Sequence, residues 1–596
     1  MKLFAELQRR KVFKAGAAWL VGGWVLIQVA ATIAPQLQMP TWVPTLVTVL
    51  VGLGFPVALV LAWLFDITPS GVHRDAQDVA RSRHEAPAPP QCAPGNMATA
   101  ASEAAATANP VETPAIPHKS VAVLPFADLS AAHDHEYFSD GITEEILNAL
   151  VKLKDLKVAG RTSSFSFKGK SAVLRDIGRT LNVAHVLEGS VRKHGDKVRI
   201  TAQLVQVEDG YHLWSESYDG ELADVFDLQE RIARAIVREL DVILHGDAAL
   251  RLVPVATRDP EAYALYLQAS AVFARRDGAR FPDAIADLRQ ALARDPSFAR
   301  AHARLASIHA LEPIYAPDFA DTAPDAVRRE AALASDLDPR LAEPHAAIAL
   351  SCLQQHRLVD GRLAIDRALA LDPDDVTAEF WNGTLLISSG YVTAGCARID
   401  HVLALDPLYP NGLLWRGTQY WYAGDAKRAE VLLQRAAQAG LAHAGLGLHF
   451  ICAARGAIGE AITQLTDGLR VLGGGLADDF ASILARGVYG DAAARMVAIA
   501  RVDAYIQKQP RRLSSSIPYA LLLMGEPARA FTLCTQYRTN NDAQYFHFLW
   551  SPALREARAL PEFRTFVHAM GMTDLWDRYG PPDGARRDAA GNYAFA

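Results

Sequence analysis

The chain has 596 residues, half of them apolar, with 60 Lys and Arg against 66 Asp and Glu and a formal net charge of -6. It is too long for one hydrophobic core, too apolar to be disordered throughout, and too nearly neutral to spread a broad nucleic-acid-binding field. Five cysteines, Cys92, Cys352, Cys396, Cys452 and Cys534, are odd in number and without a CxxC spacing, which argues against a disulfide framework or a cysteine zinc site and for a reducing compartment.

From Ala15 to Phe65 there is no charged residue, and Pro35, Pro40 and Pro44 divide the run into apolar stretches over 15–34 and 45–65. Each has about the 20 residues that a helix needs to cross a bilayer. Residues 1–70 are therefore expected to form a two-helix transmembrane anchor, with lipid as the partner of both stretches. Lys2, Arg9, Arg10, Lys11 and Lys14 outweigh Glu6 before the first stretch, so the positive-inside rule places the N-terminus, and everything after the second stretch, in the cytoplasm. Residues 71–117, rich in Ala and Pro, are too poor in core-forming side chains to fold and are expected to be a disordered linker.

Residues 118–246 alternate strand and helix patterns. Val121 to Phe126 is a buried strand, and Ser139 and Asp140 precede a helix with Ile142, Ile146, Leu147 and Leu150 on one face. A short strand over 156–159, a Ser/Phe-rich loop, a helix over 174–181 and a strand over 183–187 follow. Val198, Ile200, Ala202 and Leu204 then alternate with polar residues, as in a strand with one wet face. A strand over 211–218 and a helix carrying Phe226, Ile232, Ile236 and Leu240 complete a mixed α/β sheet domain.

Asp338-Pro339, Asp372-Pro373 and Asp406-Pro407 recur every 34 residues, and Gly390 and Gly424 keep the same interval. That period belongs to helical hairpins stacked into a superhelix. Residues 257–450 are read as tetratricopeptide (TPR) repeats, with an insertion looping out over 311–324. Residues 451–580 are read as degenerate helical repeats and capping helices, and the last twenty residues as frayed. The fold class is thus multidomain: an N-terminal transmembrane helical hairpin, an α/β domain with a mixed sheet, and a C-terminal all-α solenoid.

Five stretches carry a family resemblance: Lys119–Phe126, Tyr137–Ile146, Arg161–Phe165, Val186–Val191 and Gly210–Glu216. They resemble the TolB-like, or FlgO-like, module of bacterial membrane and signalling proteins, which commonly continues into TPR repeats and often follows an adenylate cyclase or winged-helix domain. The resemblance implies a regulatory or assembly role and supplies no catalytic residues; with the two apolar stretches, the expected location is the bacterial inner (plasma) membrane, with the soluble domains in the cytoplasm.

Several local patterns suggest sites and read more simply otherwise. Gly169-Lys170-Ser171 ends like a phosphate loop, but Ser164 stands where its first glycine belongs. His133-Asp134-His135-Glu136 carries metal-capable side chains that point apart as consecutive residues of a loop. Arg275-Arg276 and Arg511-Arg512 are too small to imply nucleic acid. Trp381, Trp415, Tyr420 and Trp421 could line a peptide groove, although their helical spacing favours interior packing. No catalytic, cofactor-binding or metal residue is assigned, and no cofactor. The expectation is a non-enzymatic, membrane-anchored scaffold or adaptor binding a protein partner on the concave TPR face. The alternatives are a regulatory component of a signalling system with cyclase-like architecture but no catalytic domain, or an envelope-assembly factor.

Overall fold

The structure is a computed structural model. It describes residues 116–596 apart from 131–134, 154, 171, 243–255, 316–320, 473–475, 509, 511–512, 538, 541–546, 590 and 596, together with the backbone of 65–68 and 71–74. Residues 1–112 form one unit and 113–596 another. In the first, Phe65–Thr68 and Gly71–Arg74 make an antiparallel ribbon that pairs Phe65 with Arg74.

The transmembrane hairpin expected over 15–34 and 45–65 is corrected. Among the described residues no helix is long and apolar enough to cross a membrane, and Phe65, placed by the sequence at the end of the second span, begins an extended strand. The rest of both spans, and the lipid contact assigned to them, lie outside the described residues, as does most of the 71–117 linker. The fold class that remains is an α/β domain followed by an all-helical, TPR-like array.

The α/β domain is a mixed sheet. Its strands are β1 (Ser120–Val123), β2 (Ala127–Asp128), β3 (Lys157–Val158), β4 (His185–His194), β5 (Lys197–Gln206) and β6 (His212–Glu221), in the order β3-β1-β4-β5-β6 with β2 also paired to β4. The β1–β3 and β1–β4 pairs are parallel, with Val121 opposite His185, and β4–β5–β6 is an antiparallel meander with His194 opposite Lys197. Helices α1 (Glu136–Val151) and α4 (Val225–Glu239) cover one face, and α3 (Leu174–Leu181) covers the other. Because β1 is covered on both sides, it is apolar at every position, Val121 and Val123 packing with Phe138 and Ile142 and Ala122 packing with Ile177 and Leu181. The stretch read as a Ser/Phe-rich loop contains a short helix, α2 (Arg161–Phe165).

Among the described residues sixteen helices follow as hairpins. They are α5 (Pro260–Arg275), α6 (Phe281–Arg294), α7 (Ala299–Tyr315), α8 (Ala323–Leu337), α9 (Glu343–Gln354), α10 (Leu358–Leu371), α11 (Val376–Ser388), α12 (Val392–Leu405), α13 (Pro410–Tyr422), α14 (Ala426–Gln438), α15 (Gly445–Ala454), α16 (Ile458–Val471), α17 (Asp478–Tyr489), α18 (Ala492–Ile506), α19 (Ser516–Leu523) and α20 (Pro527–Gln536). The periodic residues act at both ends of each hairpin. Gly390 and Gly424, at φ of 94° and 84°, take the left-handed turn inside a hairpin that side chains disfavour. Each Asp-Pro pair ends the second helix, because proline cannot continue it. The insertion expected over 311–324 is smaller than its sequence suggests, since α7 runs through Pro313 to Tyr315.

Burial differs sharply between the two helices of a hairpin. In α11, 11 of 13 residues are buried, whereas α10 and α12 each bury three. The first helices therefore lie inside and the second helices face out. The C-terminus folds back onto the inner side: His547–Trp550 packs by Trp415, Tyr422 and Phe450, and the Trp550 indole donates to the Ser388 carbonyl at 3.0 Å. After α21 (Pro561–Ala569) and α22 (Met572–Tyr579), the fully buried Trp576 donates to the Ser389 carbonyl at 2.8 Å. The final residues, expected to fray, form a ribbon of Ala585–Arg587 with Tyr593–Phe595, whose aromatic rings pack on Trp576 and Trp550.

In the C-terminal half His449 is fully buried, with Nδ1 2.5 Å from the Tyr489 hydroxyl and Nε2 3.3 Å from that of Tyr519. Burial pushes its imidazole down to about 3 from the usual 6.5. The neutral ring belongs to the folded state, so its stabilisation is present above pH 6.5 and is lost as pH falls toward 3. Denaturant unfolding should show a loss of about 2 kcal/mol between pH 7 and pH 5 from this group. His449→Phe should remove a large part of that slope, and an unchanged slope would sink the assignment.

Candidate functional site

The α/β domain and the array meet at a buried polar junction built from the motif residues of α1 and α2. Gly141 brings α1 against α5, where a Cβ would come within 2.6 Å of the Leu267 side chain. Two turns of charge flank this contact. Glu145, 6% exposed, receives both Arg300 guanidinium nitrogens at 2.7 and 2.5 Å, the fork geometry in which arginine binds carboxylate most strongly. Arg300 and Arg304 both lie near the Tyr266 ring, and Arg304 Nε donates to Glu343 at 2.7 Å. Arg161 Nε donates to Glu144 at 2.7 Å. Burial would raise the Glu144 carboxyl, but Arg161, Arg304 and Arg300 together hold it below its ordinary value.

At the other end of the junction, a carboxylate from the array caps a helix of the α/β domain. Asp406 is 2% exposed; its Oδ2 accepts from the Thr162 amide at 3.1 Å and its Oδ1 from the Ser163 amide at 2.7 Å and from the Ser163 hydroxyl. These amides open α2, which has no side-chain cap of its own. The Leu408 amide donates to Ser163 Oγ at 2.7 Å, and the Gly160 amide donates to the Leu405 carbonyl at 2.9 Å. The equivalent Asp338 and Asp372 instead accept from backbone amides of their own turns, Arg340 at 3.1 Å and Asp374 at 3.3 Å. One copy of a periodic residue has been recruited into a domain contact.

The patterns singled out in the sequence fall elsewhere. Ser164 is buried in α2 and Gly169 sits in a turn beside Lys168, whose ammonium bridges Asp140 and Glu136 at 2.6 Å, while Ser171 lies outside the described residues. His133, Asp134, Arg511 and Arg512 also lie outside them, and the His135 amide donates to Asp128 at 3.0 Å. Among the described residues no group of three His, Cys, Asp or Glu is placed to hold a metal ion. Arg275 is paired with Glu136 and Arg276 lies over Phe273. Trp381 and Trp415 are buried, Trp421 stacks on Phe450, and Tyr420 lies under Arg416. Beside Trp415, Tyr422 and Phe450 the inner face, on which a partner was expected, is thus covered by residues 547–550 of the chain itself. Sequence reasoning missed the junction because Glu145, Arg300 and Asp406 are remote in sequence, although the missing N-cap of α2 was a signal.

A family described as HilA/YgeH-like transcriptional regulator, second domain, matches residues 117–235, where the TolB-like resemblance was read. The chain is 36% identical over 252 residues to "Putative adenylate cyclase 3" of Rhizobium meliloti (strain 1021), which is 42% of each protein. The chain thus matches about two fifths of the length of that curated relative. Among solved structures it is similar to the TPR protein YrrB (19% identity, 32% of this chain and 90% of that chain, TM-score 0.22), to the APC/C hetero-tetramer Cut9-Hcn1 (14%, 59% of each, 0.33) and to yeast Tom70 (12%, 60% and 89%, 0.25).

Asp406→Ala should destabilise the chain by about 1–3 kcal/mol through its unmet amides, and should speed hydrogen exchange at the Thr162 and Ser163 amides. Asp372→Ala, its neighbour in the periodic series, should leave those two amides unchanged.

Proposed function

We propose that the chain is a non-catalytic interaction scaffold in which the α/β domain and the helical array act as one body, with protein partners bound by residues 257–450. The observation that carries this reading is the use made of the α/β motif residues. Gly141, Glu145, Arg161 and Ser163 all serve to seat the array or the helices that hold it. The array then offers partners its second helices, whose residues are mostly exposed or half-buried, and extended helical surfaces of this kind bind other chains.

A second reading, a regulatory component of a signalling system, is supported by the adenylate cyclase relative. A match of 252 residues cannot fit within residues 1–235, so it reaches past the family-matched segment into the residues that follow. The match covers 42% of the relative. The shared part on this reading is a regulatory one.

Incubating the purified full chain with ATP and a divalent cation separates scaffold from cyclase: no cyclic nucleotide above a blank is expected, and turnover would overturn the scaffold reading. Cross-linking in the source cells, followed by mass spectrometry, should place partner cross-links on 257–450. Cross-links confined to 118–246 would count against that surface.

A further inference from the structure

Two crevices recur one repeat apart on the outer side of the array. The first, about 470 Å³, opens between α10 and α12 over α11 and is lined by Arg362, Asp366, Asp374, Glu379, Asn382 and Arg398 among others. The second, about 550 Å³, has Asp400 and Arg416 in the places of Asp366 and Asn382, 34 residues on. Its polar groups satisfy one another: Arg416 Nε donates to Asp400 at 2.6 Å, and its guanidinium lies 4.0 Å over the Tyr420 ring.

The first crevice is different. Asn382 is 3% exposed, and its Oδ1 has no hydrogen-bond partner. Glu379 is also 3% exposed; one oxygen accepts from Arg398 at 3.2 Å, but Oε2 has no partner. Buried acceptors are unfavourable when unmet, and two of them side by side on one turn of α11 ask for a ligand that brings N–H donors. At the mouth, Asp366 accepts from Arg362 at 2.8 Å and Asp374 from His401 at 3.2 Å. With three carboxylates against two guanidiniums, the crevice favours positive charge. Leu369, Ala370 and Pro373 supply an apolar wall, against which an aliphatic stem can lie while its charged end goes inward.

We propose that this crevice binds a cationic N–H donor on an aliphatic stem, a guanidinium or a primary ammonium, with Glu379 and Asn382 as its buried acceptors. The site is independent of the scaffold reading, because it is defined by the unmet acceptors and not by a partner protein.

Calorimetric titration of the full chain at fixed salt with L-arginine, agmatine and putrescine tests it. Agmatine, which lacks the carboxylate, should bind as well as L-arginine, and comparison with putrescine distinguishes guanidinium from ammonium. Glu379→Gln should weaken binding about tenfold, the loss expected for one charge-assisted hydrogen bond, while Asp400→Asn in the second crevice should leave it unchanged. If Glu379→Gln does not fold, as judged by its thermal midpoint, Asn382→Ala gives the same readout. Failure of every probe to saturate at millimolar concentration would overturn the proposal. So would binding indifferent to both substitutions, or binding that requires the carboxylate of L-arginine.

Discussion

The arrangement of residues 113–596 depends on buried charge being fully satisfied where two folds meet. A carboxylate such as Asp406 or Glu145 cannot be taken out of water without donors to replace it. Asp406 finds two amides and a hydroxyl on α2, and Glu145 finds the Arg300 fork. Each group is therefore an obligation that only the docked arrangement meets. Apolar contact alone, such as Leu267 against α1, would hold the parts together in several registers; the directional bonds select one. This makes the α/β domain and the first repeats a continuous body, and the apolar residues on the α1 and α4 side of the sheet accordingly share one core cluster with those of the repeats, from Val121 through Tyr266 to Trp415.

Much of this was legible in the sequence, and the parts that were not share a cause. Periodicity revealed the hairpins because the 34-residue interval repeats the same local physics: a left-handed glycine, a small buried residue such as Ala368 or Ala436, and a proline stop. The sheet strands showed themselves because β1 is covered on both faces and β5 on one, which leaves different patterns of polarity. Local rules carry no information about pairs far apart in the chain. Arg300 looked like any helix arginine, and nothing local separates Asp406 from Asp338 or Asp372. Helical spacing gave the right environment, buried, for Trp381 and Trp415 but not for Tyr420 and Trp421, which are half-buried, and it did not show that the C-terminal segment packs on Trp415. The apolar N-terminal run gave a hydropathy signal whose second stretch ends, in the structure, at an extended strand.

The cover over the inner face beside Trp415, Tyr422 and Phe450 changes what a helical array of this type has to offer. An open superhelix presents its first helices to a partner, and its selectivity lies in the side chains of that hollow. Here Trp415, Tyr422, Phe450 and Tyr519 contact one another or residues 547–548, and the proposed scaffold would draw its selectivity from the outer helices and the crevices between them. Neighbouring repeats are alike in backbone and differ in charge, so each crevice acquires its own chemistry without any change to the turns that hold the stack together.

The bond from the Trp576 indole to the Ser389 carbonyl joins residues 187 positions apart. Contacts of such high contact order form late, because the entropy of closing the intervening loop must be met first. While the chain is being synthesised, the aromatic inner surface stays uncovered until residues 547–595 have left the ribosome. A chain truncated before residue 547 would keep every repeat motif and still expose that surface, a state prone to aggregation for which the intact molecule carries its own remedy.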